Sequence, residues 1–73
     1  MIEVKIFATL RDGREKTYRL PAEEYKTPAD IMKFLNIPPK GVAILLVNGF
    51  HAEADTPLKD NDIVSMFPPC AGG

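Results

Sequence analysis

One short helix signal, with strand patterns on both sides, limits the folds open to this 73-residue chain. In the segment TPADIMKFLN, Thr27 suits the N-cap, Pro28 the first helical position and Asp30 the positively polarised first turn. Three apolar residues follow at the i, i+3, i+4 spacing of a single helix face: Ile31, Phe34 and Leu35. We therefore expect one short amphipathic helix that lies on a sheet.

The segment before the helix has the pattern of a β-hairpin. IEVKIFATL alternates apolar with mostly polar residues, and Phe7 is an apolar exception on the polar side. An Asp12-Gly13 turn signal and the strand pattern KTYRL follow. Residues 2–20 are therefore predicted to form two antiparallel strands.

The segment after the helix predicts three more strands. The run VAILLV is apolar at every position, which predicts a strand with both faces covered, or with one face covered and the other reserved for a partner. Asn48-Gly49 is a strong hairpin turn signal, so a short strand should begin near Phe50. TPLKDND predicts a tight connection with Leu58 turned inward, and IVSMF is the last strand, ended by Pro68.

This element order, β-β-α-β-β-β, predicts an α+β fold in which the helix covers one face of a mixed sheet. A chain of this length forms a single domain, here residues 1–73 with a flexible C-terminal tail from residue 68. We expect the first and last strands to pair in the centre, although periodicity alone leaves other windings open.

Composition excludes several classes of function. A formal net charge of -1 disfavours binding to nucleic acid, and the longest apolar run of six residues is too short to span a bilayer. One cysteine forms no internal disulfide, which suits a reducing cytoplasm. The single histidine excludes a His-rich metal site. Asp55, Asp60 and Asp62 lack the spacing of an EF-hand loop and are predicted to form turns. Without a nucleophile and base pair or a phosphate-binding loop, a stand-alone enzyme is disfavoured.

The chain ends in FPPCAGG, and this end invites a functional explanation. Glycines lose more conformational freedom on ordering than other residues, so Gly72 and Gly73 are either a frayed end or an end with a use. Pro68 and Pro69 have a fixed φ and no N–H group, so they direct the chain away from the sheet as a stiff stem. The residues beyond them are all small enough to thread a narrow channel.

Three stretches together resemble one family: IEVKIFATLRDG, VNG with DTPLKDNDIV, and the terminal FPPCAGG. They are similar to the ubiquitin-like β-grasp sulfur carriers, most closely to the small subunit of molybdopterin synthase. The resemblance implies a mixed sheet that grips one helix, with Gly73 as the working residue. A partner enzyme would adenylate the Gly73 carboxylate with ATP, and sulfur would then replace one oxygen. The chain would bind no cofactor of its own and would act as a co-substrate.

The resemblance also directs attention to partner-binding residues. Phe7 and Phe67 are expected on neighbouring strands, on a sheet face away from the helix, where exposed aromatic rings mark a binding surface. Phe50 is either core or contact surface. Arg11 matches a family arginine that looks like a partner salt-bridge residue, with a solvated loop charge as the alternative. The implied partners are a ubiquitin-activating-type adenylating enzyme and the large subunit of molybdopterin synthase, or an equivalent sulfur acceptor, which Pro68 and Pro69 would also contact.

Alternative functions remain open at the level of the sequence. The chain could carry sulfur for thiamine or another sulfur-containing product. It could be a ubiquitin-like modifier that forms an isopeptide bond between Gly73 and target lysines, or an interaction domain with an incidental Gly-Gly end. Cys70 is either a small residue of the tail or a sulfur relay, and the absence of a nearby His or second Cys favours the former.

Overall fold

A computed structural model describes residues 1–69 of the chain. Its elements follow the predicted order, with a 3-10 turn (Ala8–Arg11) between the first two strands and another (Pro39–Gly41) after the helix. The strands and the helix are β1 (Ile2–Ile6), β2 (Thr17–Leu20), α1 (Pro28–Leu35), β3 (Ile44–Val47), β4 (Phe50–His51) and β5 (Ile63–Phe67). The predicted α+β arrangement is confirmed.

The five strands form one mixed sheet in the order β2-β1-β5-β3-β4. β1 and β5 lie side by side in parallel, with Val4 beside Val64, while the other neighbouring strands are antiparallel. The first and last strands therefore pair in the centre, as the sequence predicted.

The hydrophobic core lies between this sheet and α1. In β1, Ile2, Val4 and Ile6 are fully buried, because alternate residues of the strand point to the face that the helix covers. The other strands and the helix contribute the rest of the central core: Leu20, Ile31, Met32, Leu35, Leu45, Val64 and Met66.

The predicted helix start is confirmed in detail. The Thr27 side chain accepts a hydrogen bond from the Asp30 amide at 3.4 Å, and the Asp30 carboxylate accepts one from the Thr27 amide at 3.3 Å. The predicted apolar stripe is wrong at one position, because Phe34 is 52% exposed and Met32 is buried in its stead. The helix α1 packs against the sheet with Ile31, Met32 and Leu35, and this orientation turns Phe34 outward.

The first hairpin forms, but its connection is longer than predicted. β1 ends at Ile6, since Ala8 has a positive φ of 54° and begins a 3-10 turn. Arg14 then ties this loop to the end of the helix: its Nε donates to the Leu35 carbonyl and its Nη1 to the Leu10 carbonyl, each at 3.0 Å. The loop is thereby fixed against α1.

The Asn48-Gly49 turn has the predicted geometry, with φ of 53° and 85°. It is held by Asp62, whose carboxylate is buried and accepts hydrogen bonds from Asn48 Nδ2 at 2.9 Å and from the Lys59 amide at 2.8 Å. The Asn48 Oδ1 accepts a further bond from the Ile63 amide at 2.9 Å. One side-chain network thus joins the β3–β4 turn to the start of β5.

An ion pair joins the start of the chain to the loop before β5. The N-terminal ammonium group of Met1 pairs with Asp60, and its hydrogen bond and positive charge lower the pKa of the Asp60 carboxyl. No helix within residues 1–69 combines the length and the apolar character that crossing a bilayer requires.

Candidate functional site: the outer sheet face and the stem

The face of the sheet opposite α1, here called the outer face, carries an apolar row at one end. Phe67 lies directly opposite Ile44 in the β3–β5 register. Phe7 follows β1 and its amide donates to the Met66 carbonyl at 3.2 Å, which places it beside Phe67. We call Phe7, Phe67 and Ile44 the aromatic row. It crosses the three central strands where β5 ends.

The two rings of the aromatic row are stacked on each other, and both phenylalanines are therefore half-buried rather than exposed as predicted. Their centroids are 4.3 Å apart and their planes differ by 7°. The Arg11 guanidinium carbon lies over the Phe7 ring, 5.2 Å from its centroid, and Arg11 Nε donates to the Ile6 carbonyl at 2.8 Å. A cation–π contact and a backbone hydrogen bond therefore hold this positive charge beside the row.

Apolar residues continue along the outer face. Ile44 and Ile63 are 43% and 37% exposed, although both lie in central strands. In β3 the buried Leu45 points to the core, so the wholly apolar run has one covered and one open face. Sequence reasoning did not single out Ile44 or Ile63, but the apolar run itself was the signal for Ile44. A large apolar surface on one face of a sheet is suited to contact with another protein.

Phe50 does not join the aromatic row. Phe50 pairs with Val47 of β3, and Val47 packs against the core. On its other side Val47 pairs with Val64 of β5, not with Phe67. Phe50 is 77% exposed, on the side of the sheet away from the outer face. The three predicted aromatic contact residues therefore form one pair and one separate exposed ring, and the partner role of each stays a prediction.

The stem leaves the sheet directly from the aromatic row. Pro68 and Pro69 follow Phe67 without an intervening turn, Pro68 half-buried and Pro69 exposed. Residues 70–73, which include Cys70, Gly72 and Gly73, lie outside the described residues, and so does most of the predicted tail. Within residues 1–69 no group of three or more His, Cys, Asp or Glu side chains is arranged to hold a metal ion. The described part of the site is thus an apolar surface with one positive charge beside it, at the root of the stem.

The ThiS family profile matches residues 4–73, which is nearly the whole chain and includes its Gly-Gly end. The chain belongs to the ThiS family. The predicted resemblance to ubiquitin-like β-grasp sulfur carriers is therefore confirmed. None of the curated proteins is a significant match in sequence to this ThiS-family chain.

Three solved structures illustrate the shared fold. SAMP1 from Haloferax volcanii is 24% identical, with a TM-score of 0.74 over 99% of this chain and 98% of that protein. A complex of subunits 1 and 2 of the molybdopterin-converting factor from Helicobacter pylori contains a chain that is 24% identical. Its TM-score is 0.67 over 99% of this chain and 97% of that chain. A putative molybdopterin converting factor subunit 1 from Pyrococcus furiosus is 27% identical, with a TM-score of 0.65 over 94% and 97%.

Proposed function

We propose that this chain is a cytoplasmic sulfur carrier that donates thiocarboxylate sulfur for the dithiolene of molybdopterin, or of its tungsten counterpart. It would act as the small subunit of a molybdopterin synthase and as a co-substrate rather than a catalyst. The observation that carries the proposal is the ThiS-family match, which extends through the Gly-Gly end.

The chemistry centres on the Gly73 carboxylate. At neutral pH a terminal carboxylate is ionised, since its ordinary pKa is about 3.5, and it is a poor electrophile. In the proposed sequence one carboxylate oxygen attacks the α-phosphorus of ATP, and pyrophosphate leaves. Hydrosulfide from the sulfur donor then attacks the acyl carbon of Gly73, AMP leaves with that oxygen, and the thioacid loses its proton. The product is a thiocarboxylate on an otherwise unchanged chain.

The aromatic row would hold the carrier on its partners during these steps. It lies at the root of the stem, so a protein that covers Phe7 and Phe67 also receives the chain that follows Pro69. Arg11 adds a fixed positive charge that can pair with a partner carboxylate. The likeness to the subunit from Pyrococcus furiosus supports a large subunit as the second partner, after the adenylating enzyme.

Mass spectrometry provides the direct test. The chain is incubated with ATP, a ubiquitin-activating-type enzyme from the same genome and a sulfur donor. We expect a free chain that is heavier by one sulfur-for-oxygen exchange, whereas a variant without Gly73 stays unchanged. The charged chain, mixed with the large subunit and a molybdopterin precursor, should then lose its sulfur.

Other outcomes of this experiment distinguish the alternatives. Transfer of sulfur only to a thiamine precursor would identify a different acceptor and leave the carrier chemistry intact. Adducts between Gly73 and lysine side chains would identify a ubiquitin-like modifier. A chain that no activating enzyme adenylates would be an interaction domain, and the proposed function would be wrong.

A further inference from the structure

A second aromatic cluster lies on the opposite side of the sheet from the aromatic row, and one of its three rings is exposed. Phe34, on the outward surface of α1, makes edge-to-face contacts with Tyr18 (centroids 6.2 Å apart, planes at 89°) and with Tyr25 (5.5 Å, 75°). Both tyrosines are half-buried, and the Tyr18 hydroxyl is fixed by a 2.9 Å hydrogen bond from the Glu15 amide. We call Tyr18, Tyr25 and Phe34 the helix-side cluster.

The helix-side cluster is bordered by two carboxylates. Glu24 and Asp30 line a shallow cavity together with Tyr25, Phe34 and Lys33. Asp30 is held in place because its Oδ2 accepts hydrogen bonds from two backbone amides that precede the helix, at 2.9 and 3.3 Å. Within residues 1–69 neither Glu24 nor Asp30 forms an ion pair. The cavity therefore joins aromatic rings to two carboxylates, and Lys33 is the one cationic side chain among its described lining residues.

The two aromatic surfaces of the molecule differ in one respect. On the outer face Arg11 lies over Phe7, so that ring already has a cation from its own chain. Among the described residues no cation lies over a ring of the helix-side cluster. Aromatic faces next to carboxylates attract ammonium and guanidinium groups, through cation–π contacts and charge-assisted hydrogen bonds.

We propose that the helix-side cluster binds an arginine- or lysine-bearing segment of a partner protein. The incoming cation would lie against Phe34 and Tyr25, and Glu24 and Asp30 would accept its hydrogen bonds. Lys33, at the rim of the same cavity, repels such a segment and so limits its affinity. The surface is separate from the aromatic row, so a partner bound here leaves the stem free. The proposal does not depend on sulfur transfer.

A titration followed by NMR tests this proposal on the full chain. The ¹⁵N-labelled protein is titrated with acetyl-Arg-Arg-Arg-amide and, as a control, with acetyl-Gln-Gln-Gln-amide. We expect saturable shifts of the amides of Glu24, Tyr25, Asp30 and Phe34 with the arginine peptide alone. Shifts spread over the other acidic residues, or an equal response to the glutamine peptide, would overturn the proposal. Concentration-dependent shifts without peptide would assign the cluster to self-association, which would also overturn it.

Single substitutions show whether each side chain strengthens or weakens binding of the arginine peptide. Phe34→Ala should weaken peptide binding about two- to fivefold, the range of an exposed cation–π contact. Glu24→Gln should also weaken it, and Lys33→Gln should strengthen it. Phe50→Ala is the matched control, since it removes an exposed phenylalanine elsewhere and should change nothing. Wild-type affinity in Phe34→Ala, or weaker binding in Lys33→Gln, would refute the proposal. The substitutions at Glu24 and Lys33 change exposed side chains, so they decide the question even if Phe34→Ala does not fold.

Discussion

At the scale of single residues, Phe67 and Phe50 allow a matched test of the aromatic row. Phe67 stacks on Phe7 at the root of the stem, whereas Phe50 is 77% exposed outside the row. Phe67→Glu would place a charge where the proposed partner removes water. We therefore expect the affinity for the adenylating enzyme to fall by roughly tenfold or more. Phe50→Glu should weaken this binding much less, because the Phe50 ring lies outside the aromatic row. Isothermal titration calorimetry measures both affinities.

The same substitution has a predictable effect on stability. Loss of the stacked ring pair should lower the free energy of unfolding by about 0.5–1.5 kcal/mol beyond the effect of the lost apolar burial. We expect the domain to stay folded, because Phe67 is not among the core residues. Circular dichroism during urea unfolding measures this change. If Phe67→Glu is unfolded in the absence of denaturant, the ring serves the core, and a role in docking is wrong.

Cys70 distinguishes a relay from a small residue of the tail. We expect Cys70→Val to form the thiocarboxylate at close to the normal rate, because the sulfur is to be held by the Gly73 carbonyl carbon. No His or second Cys lies near Cys70 in the sequence to activate its thiol, and the thiolate is the form that would relay sulfur. The measurement is mass spectrometry after incubation with the activating enzyme. Normal adenylation without any sulfur incorporation would instead show that Cys70 is a relay.

At the scale of elements, Asp62 connects the β3–β4 turn to β5. Its carboxylate accepts hydrogen bonds from Asn48 Nδ2 and the Lys59 amide and is 6% exposed. Asp62→Ala leaves both donors without this partner, so we expect a loss of about 2 kcal/mol in the free energy of unfolding. Asp55→Ala, at an exposed turn position, is the control and should cost much less. Equal urea midpoints for the two variants would show that the network contributes little to stability.

The elements that the sequence predicted best are those defined by neighbouring residues. The capping box at Thr27 and the left-handed turn at Asn48-Gly49 depend on bonds across three or four residues, so local patterns reveal them. Phe34 was misplaced because helical spacing fits either of two overlapping faces, and the packing of α1 on the sheet selects between them. The end of β1 at Ile6 depends on a positive φ at Ala8, which no common turn pattern signals.

The candidate site was predictable to a similar extent. Phe7 breaks the alternation of β1, and that irregularity correctly indicated an outer-face residue beside Phe67. The contact of Arg11 with the Phe7 ring was not predictable, since it needs the 3-10 turn that brings the guanidinium back over the strand. Phe50 could not be assigned to a face, because the two residues of β4 are too few for a periodic pattern.

At the scale of the whole molecule, the parallel pair β1 and β5 places the exit of the chain at the centre of the sheet. β5 has a hydrogen-bonded strand on each side: Met66 pairs with Ile6 of β1, and the last residue, Phe67, pairs with Ile44 of β3. Among residues 1–69 the buried core residues all lie between Ile2 and Met66. Within residues 1–69 neither Pro68 nor Pro69 belongs to this core, and the stem begins directly after the last residue of β5.

This separation of core and end predicts the effect of changing the length of the chain. Adding one residue after Gly73, or deleting Gly73, should abolish adenylation and leave the urea unfolding curve unchanged. Attack on the phosphorus of ATP requires the carboxylate within about 3–3.5 Å of its target. One residue of extended chain spans roughly 3.3–3.6 Å, so either change displaces the carboxylate by as much as the reacting distance. Pyrophosphate release measures adenylation. A lengthened or shortened chain that is adenylated at the normal rate would show that the Gly73 carboxylate is not the activated group, and the carrier function would then be wrong.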